Sequence, residues 1–266
     1  IDLGFFIIRW YSLMFVAAFI MGLRLMKKIY IRENIHLEKL DTLFMYTFIA
    51  MLVGMRFGEV FFYSWDYYKN NLLEIILPIK RAAGETAIFG LIEGWKFTGY
   101  TGFASHGAAI AIILAMYWYS RKHLNKSLLF ILDRMSIVCA LGAAFVRIGN
   151  FFNSPTGSNF GVIFKNSDAE MLPRHPTQLY EALCYLILFY ILWKFYWKSD
   201  KKEKTGFLFG VFMIGLWSAR FFIEFFKEAQ VDGREDWIFS LNTGQVLSIP
   251  LILIGLWLML RKTKAS

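Results

Sequence analysis

Apolar residues dominate this chain in long unbroken runs, and the runs are separated by short polar, mostly basic connections. Seven runs of about twenty residues recur, near 5–24, 42–63, 103–120, 128–147, 178–197, 206–224 and 245–261. Runs of that length predict helices that cross a bilayer, and in hydrocarbon a helix satisfies all its own backbone groups. The pattern therefore predicts an all-α polytopic membrane protein of about seven transmembrane helices, forming one domain over residues 1–266. No internal repeat, low-complexity tract or second soluble domain interrupts it. The segment between the second and third runs, about 64–102, is long and mixed. Leu72 to Ile79 is apolar and ends near Pro78, and Gly84, Gly90, Gly94 and Gly99 follow among aromatic residues. This segment predicts an outer, interfacial stretch with a short helix lying in the membrane surface.

Composition agrees: 57% of residues are hydrophobic and 19% aromatic, outside the range of an ordinary soluble domain. The net charge of +9 does not point to nucleic acid, because the basic residues sit in clusters between the apolar runs. Arg24, Lys27, Lys28, Arg32 and Lys39 fill the first connection, Arg121, Lys122 and Lys126 the third, and Lys198, Lys201, Lys202 and Lys204 the fifth. Arg261, Lys262 and Lys264 follow the last run. The alternate connections are longer and sparser: Lys69, Lys80, Arg81 and Lys96, then Lys165 and Arg174, then Lys227 and Arg234. The positive-inside rule predicts the N-terminus outside and the C-terminus inside. Cys139 and Cys184 lie within apolar runs and read as packing residues, not as a disulfide or metal pair. The first run is too long for a cleavable signal peptide and lacks a small-residue cleavage site.

With that orientation, polar side chains gather at one depth. Tyr11 stands near the outer start of the first run, and Arg56 and Glu59 lie in the outer half of the second. His106 opens the third run, and Arg147 and Asn150 end the fourth, followed by Asn153. His175, Gln178, Tyr180 and Glu181 open the fifth, Arg220 and Glu224 end the sixth, and Gln245 opens the seventh. Any one arginine here reads equally well as a snorkelling side chain, and Arg56 with Glu59, or Arg220 with Glu224, as a structural ion pair. Independent snorkellers, however, would appear at both faces. The inner ends hold only Asp133, Arg134 and Lys194. The set predicts a polar cavity open to the outer leaflet, since ionisable residues within a membrane mark functional sites.

Three guanidiniums suit a phosphate, and the phosphate at that depth is a phospholipid headgroup. No acidic cluster has metal-ligand spacing, so neither a divalent ion nor a cofactor is expected. His106 is the natural general base, with His175 as its competitor on the same side. No serine nucleophile elbow is present.

Arg147-Ile-Gly-Asn150-Phe-Phe-Asn153 resembles the signature of the bacterial prolipoprotein diacylglyceryl transferases. The resemblance runs along the chain in order. Arg9-Trp-Tyr11-Ser-Leu-Met, Gly54-Met-Arg56-Phe-Gly58 with Phe61-Phe-Tyr63, and Ala104-Ser-His106-Gly107 resemble its earlier motifs. Arg174-His-Pro-Thr-Gln178-Leu-Tyr-Glu181, Arg220-Phe-Phe-Ile-Glu224-Phe-Phe and Gly244-Gln-Val-Leu-Ser-Ile-Pro250 resemble its later ones. The resemblance implies transfer of the diacylglyceryl group of phosphatidylglycerol to the lipobox cysteine of a prolipoprotein. A thioether forms and glycerol 1-phosphate leaves, at the outer face of the inner membrane. It implies His106, Arg147 and Arg220 as catalytic residues. It implies substrate binding by Tyr11, Arg56, Asn150, Asn153, His175, Gln178, Tyr180, Glu181 and Glu224.

Two positions depart from the family pattern. Pro155 follows Ser154 where a glutamate is usual, in a shortened segment, and Leu216 stands where some members carry tyrosine. They keep open, as the alternative, a catalytically impaired paralogue. A lipid-binding or transport protein with an outward phospholipid cavity is the other rival, but it predicts repeats or broken spans, which the chain lacks. A retinal-type receptor is excluded by the absence of a lysine from the seventh run.

Overall fold

The computed structural model describes residues 10–77, 79–87, 92–98, 104–152, 162–163, 173–227 and 241–262. These residues are mostly helical. The long helices are α1 (Trp10–Arg32), α2 (Glu38–Phe62), α5 (Ser105–Tyr119), α6 (Leu128–Phe151), α7 (Thr177–Lys198), α8 (Phe207–Ile223) and α9 (Thr243–Leu260). Two short ones, α3 (Trp65–Tyr68) and α4 (Leu73–Ile76), lie between α2 and α5. Each long helix falls on one of the apolar runs. Among the described residues, four segments are long and apolar enough to cross a membrane: α2, α6, α7 and Phe207–Phe226. At 15 residues α5 rises only about 22 Å, short of a bilayer core. The first helix continues well past its apolar run because Met26, Ile29 and Tyr30 are buried at 3%, 0% and 0% exposure.

The connection after α2 adds strands to an otherwise helical fold. It carries the short helix α4, but also an antiparallel hairpin of β1 (Ile79–Ala87) and β2 (Ile92–Phe97). Ile79 pairs with Phe97, Lys80 with Lys96 and Arg81 with Trp95, and the register shifts between Arg81 and Thr86. Gly84, at φ +82°, supplies the left-handed backbone at that irregularity. A second, two-residue pairing joins β3 (Val162–Ile163) to β4 (Pro173–Arg174).

The chain divides into two compact units, Ile1–Leu37 with Leu129–Ser266, and Glu38–Leu128. In the first unit α7 buries Gln178, Glu181 and Tyr185 while Leu183, Ile187 and Tyr190 stay exposed. Burying polar groups and presenting apolar ones reverses the habit of a water-soluble helix and suits a helix in hydrocarbon.

The end of this unit formed by the C-terminus of α1 and the N-terminus of α6 is held by buried ions. Glu33 Oε1 accepts from Arg134 Nη2 at 2.9 Å and from the Tyr196 hydroxyl at 2.8 Å. Asp133, fully buried, accepts from the backbone N–H of Gly206 at 2.6 Å and of Phe209 at 2.8 Å. It thereby caps α8 from another helix, since the first N–H groups of a helix have no partner within it. Lys204 Nζ donates to the Met259 carbonyl at 2.7 Å and Arg261 Nη2 to that of Thr205 at 2.8 Å.

Burial raises the Glu33 carboxyl, but the attraction of Arg134, with the Tyr196 and Arg134 hydrogen bonds, outweighs it and holds the group below its usual value. A depressed carboxylate stabilises the fold above its unfolded pKa, and that contribution is lost as pH falls through the folded value. Glu33→Gln is expected to lower thermal stability at neutral pH by roughly 3–5 kcal/mol, the usual cost of orphaning a buried partner. The difference from the parent should shrink below about pH 4, and a melting-temperature series in detergent measures both effects.

Candidate functional site

In the first unit the C-terminal ends of α6 and α8 meet the N-terminal ends of α7 and α9. Arg147, near the end of α6, forms an ion pair through Nε with Oε2 of Glu181, in the first turns of α7. The Glu181 side chain is 1% exposed. Its Oε1 accepts from Lys227 Nζ at 2.8 Å, and the same nitrogen donates to Glu224 Oε2 at 3.0 Å. Tyr185, one turn beyond Glu181, is buried, hydrogen-bonds Arg147 and lies near Arg220. Gln178 is buried one turn before Glu181 on the same face of α7. Arg220 is half-buried, and among the described residues no ion pair joins it to Glu224, whose carboxylate pairs with Lys227 instead.

Around this chain of charges stand supporting groups. His175 Nδ1 lies 3.1 Å from the Tyr180 hydroxyl, and both rings pack against Phe226, in the turn that carries Glu224 and Lys227. The His175 carbonyl also accepts from the Thr177 N–H at 2.8 Å, starting α7 after Pro176. Asn242 and Gln245 form a reciprocal cap that starts α9, and Gln245 Nε2 reaches the Phe221 carbonyl at 3.4 Å. Gln245 is thus occupied by helix geometry. Tyr11, on α1, lies against Gly149, where an added Cβ would stand 3.2 Å from the Tyr11 Cα. The glycine of the Arg-Ile-Gly-Asn stretch suits that close approach, and a larger residue would press on α1. Asn150 sits half-buried in the last turn of α6. Asn153 lies outside the described residues, as do Ser154 and Pro155.

The second unit holds the other two expected groups. Arg56, on α2, donates from Nε to the Ile75 carbonyl at 3.0 Å, from Nη1 to the Tyr68 hydroxyl at 3.1 Å, and from Nη2 to the Glu74 carbonyl. Its guanidinium therefore binds the C-terminal turn of α4, where positive charge is favourable. The Glu74 side chain accepts from the Tyr67 hydroxyl at 2.6 Å. That bond to the carboxylate, with some burial, pushes the Tyr67 phenol up to about 12. Glu59 accepts from Ser64 Oγ at 3.0 Å. His106 is exposed in the first turn of α5. Its neighbour Gly107 packs on Gly58 of α2, whose added Cβ would stand 2.8 Å from the Gly107 Cα. The backbone contact between α2 and α5 thus fixes the height of His106 on its helix.

The structure brings Arg147, Glu181 and Glu224 together, with Gln178 on the same face of α7, and joins His175 to Tyr180 beside them. Sequence reasoning missed Lys227, counted only as a loop charge, and Tyr185, hidden in an apolar run. The spacing of Lys227 three residues after Glu224 was the available signal.

Apolar helices that bury a chain of ion pairs near one end define a helical membrane protein with a charged cluster among its helices. The family model described as prolipoprotein diacylglyceryl transferase matches residues 1–261, and the chain belongs to that family. Curated relatives named phosphatidylglycerol–prolipoprotein diacylglyceryl transferase are similar over nearly their whole length. One from Chloroherpeton thalassium is 38% identical over 100% of this chain and 92% of its own. One from Bacteroides fragilis is 37% identical over 95% and 88%. One from Tolumonas auensis is 36% identical over 99% and 95%.

Proposed function

We propose that this protein transfers the diacylglyceryl group of phosphatidylglycerol to the lipobox cysteine thiol of a prolipoprotein. The thiolate sulfur attacks the glyceryl carbon that bears the phosphate. A carbon–sulfur bond forms, the carbon–oxygen bond breaks, and glycerol 1-phosphate leaves with the bonding pair. The observation that carries the reading is the pairing of Arg147 with buried Glu181, within a family whose curated members bear that activity in their names. Fixed guanidiniums in a low-dielectric site stabilise charge that develops on a leaving phosphate.

In this reading Arg147 and Arg220 hold the phosphate and His106 accepts the thiol proton. Glu181 and Glu224 orient the cations, and Tyr11, Asn150, Asn153, His175, Gln178 and Tyr180 contact lipid or peptide. Arg56 acts through α4, which its guanidinium binds. The chain works as one transferase domain with seven spans in the bacterial inner membrane, N-terminus outside, active site toward the periplasm and the α3–α4–hairpin segment at the interface. A reporter fused after Ser266 that is active only outside the cell would overturn that topology.

Purified protein given phosphatidylglycerol and a lipobox peptide should yield the thioether product and one glycerol 1-phosphate per turnover. Pro155, where the family usually carries glutamate, supports a second reading, a paralogue that binds lipid but does not transfer. Saturable lipid binding with no thioether would establish it.

A further inference from the structure

We infer that Lys227 is a positioning residue that sets the net charge of the phosphate site. The inference rests on the reading of Arg147 and Arg220 as the phosphate ligands. Among the described residues, five charged side chains form the cluster: Arg147, Arg220 and Lys227 against Glu181 and Glu224. The balance is one positive charge, the complement of a phosphodiester. Both carboxylates are secluded, with side-chain exposures of 1% for Glu181 and 15% for Glu224. Lys227, itself 13% exposed, bridges them with one ammonium. Glu224 is seated tightly: a Cβ added at Gly244 would stand 2.8 Å from its Oε1.

The geometry divides the work. Lys227 occupies Oε1 of Glu181, and Arg147 meets that carboxylate through Nε at Oε2. A contact through Nε is side-on, and the terminal nitrogens of Arg147 are the forked donors that bind a phosphate. Without Lys227 the cluster would be neutral. Two secluded carboxylates would share two arginines, and both guanidiniums would be drawn from ligand to protein. Lys227 touches no reacting atom in this account; its effect is carried by the arginines.

The test is steady-state transfer with varied phosphatidylglycerol in mixed micelles and a saturating lipobox peptide. One unit charge about 8 Å from a phosphate, at an effective dielectric near 20, corresponds to an affinity change of roughly thirtyfold. Lys227→Met should raise KM for the lipid by about that factor, with a much smaller change in kcat. Lys227→Arg should keep KM near that of the parent. Combining Lys227→Met with Glu224→Gln restores one positive charge and should recover most of the lost affinity, which a lost packing contact would not do. An unchanged KM in Lys227→Met, or a double variant as weak as Lys227→Met, overturns the inference. If Lys227→Met alone does not fold, the double variant decides, and a KM raised about thirtyfold or more there overturns the inference equally. Arg147→Ala run alongside separates the two levels. If Arg147→Ala leaves KM and kcat unchanged, the phosphate reading itself fails; if it is impaired and only the Lys227 series misbehaves, the charge-setting role alone fails.

Discussion

Arg147→Lys loses transfer by about 10²–10³-fold, the size of effect seen when one preorganised donor to a developing oxyanion is removed. Lysine keeps the charge but offers a single nitrogen. That nitrogen must choose between the substrate phosphate and Glu181, whose carboxylate is 1% exposed and has already lost its hydration. Glu181 wins, because it is a permanent neighbour in a dry site, and the phosphate is left without its donor. Arg220→Lys provides the contrast. Arg220 has no ion pair with Glu224, so a lysine there remains free to turn to the phosphate. It loses the fork but not the charge, and its deficit should be about tenfold smaller than that of Arg147→Lys, the energetic size of one or two charge-assisted hydrogen bonds. The comparison is made on kcat/KM at matched protein levels. Equal deficits would remove Glu181 from the explanation, and parental activity in both variants would make the arginines structural.

His106→Gln is the second large effect. Loss of a general base lowers rates by about 10²–10⁴-fold, and a drop of that size is expected with lipid binding retained. A thiol ionises near pH 8.5, so the residual rate should climb between pH 6 and 9 as the peptide supplies its own thiolate. His106 suits the role because it is exposed at the start of α5 and its neighbour is pinned to α2 by glycine contacts. His175 is engaged with Tyr180 and Phe226, and its carbonyl starts α7. His175→Gln is therefore expected to change activity less. The reverse ranking, with His106→Gln active and His175→Gln inactive, would move proton transfer to the start of α7.

The helices were legible because lipid-facing segments must be apolar along their whole length, and that constraint survives any tertiary detail. The hairpin was not. Ile79-Lys-Arg-Ala-Ala-Gly-Glu-Thr-Ala has no regular alternation, and its pairing depends on an irregularity at Gly84 that periodicity does not signal. The arginines were readable as costly residues, but their partners were not. Arg56 invited pairing with Glu59 one turn away, yet three of its donors go to α3 and α4, and its contact with Ile75 spans 19 residues of sequence. Arg220 invited pairing with Glu224, but the carboxylate turned to Lys227. Nearest-neighbour spacing on a helix finds candidates, and three-dimensional packing chooses among them.

The helix α6 is anchored twice, by Arg134 to Glu33 at one end and by Arg147 to Glu181 at the other. The two anchors are about 20 Å apart at a rise of ~1.5 Å per residue. A helix tied at both ends cannot act as a piston, since any axial stroke would break a buried ion pair. It behaves instead as a spindle of fixed length and phase. One alanine inserted between Ala140 and Leu141 would turn Arg147 by about 100° relative to Arg134, so that only one anchor at a time could be kept.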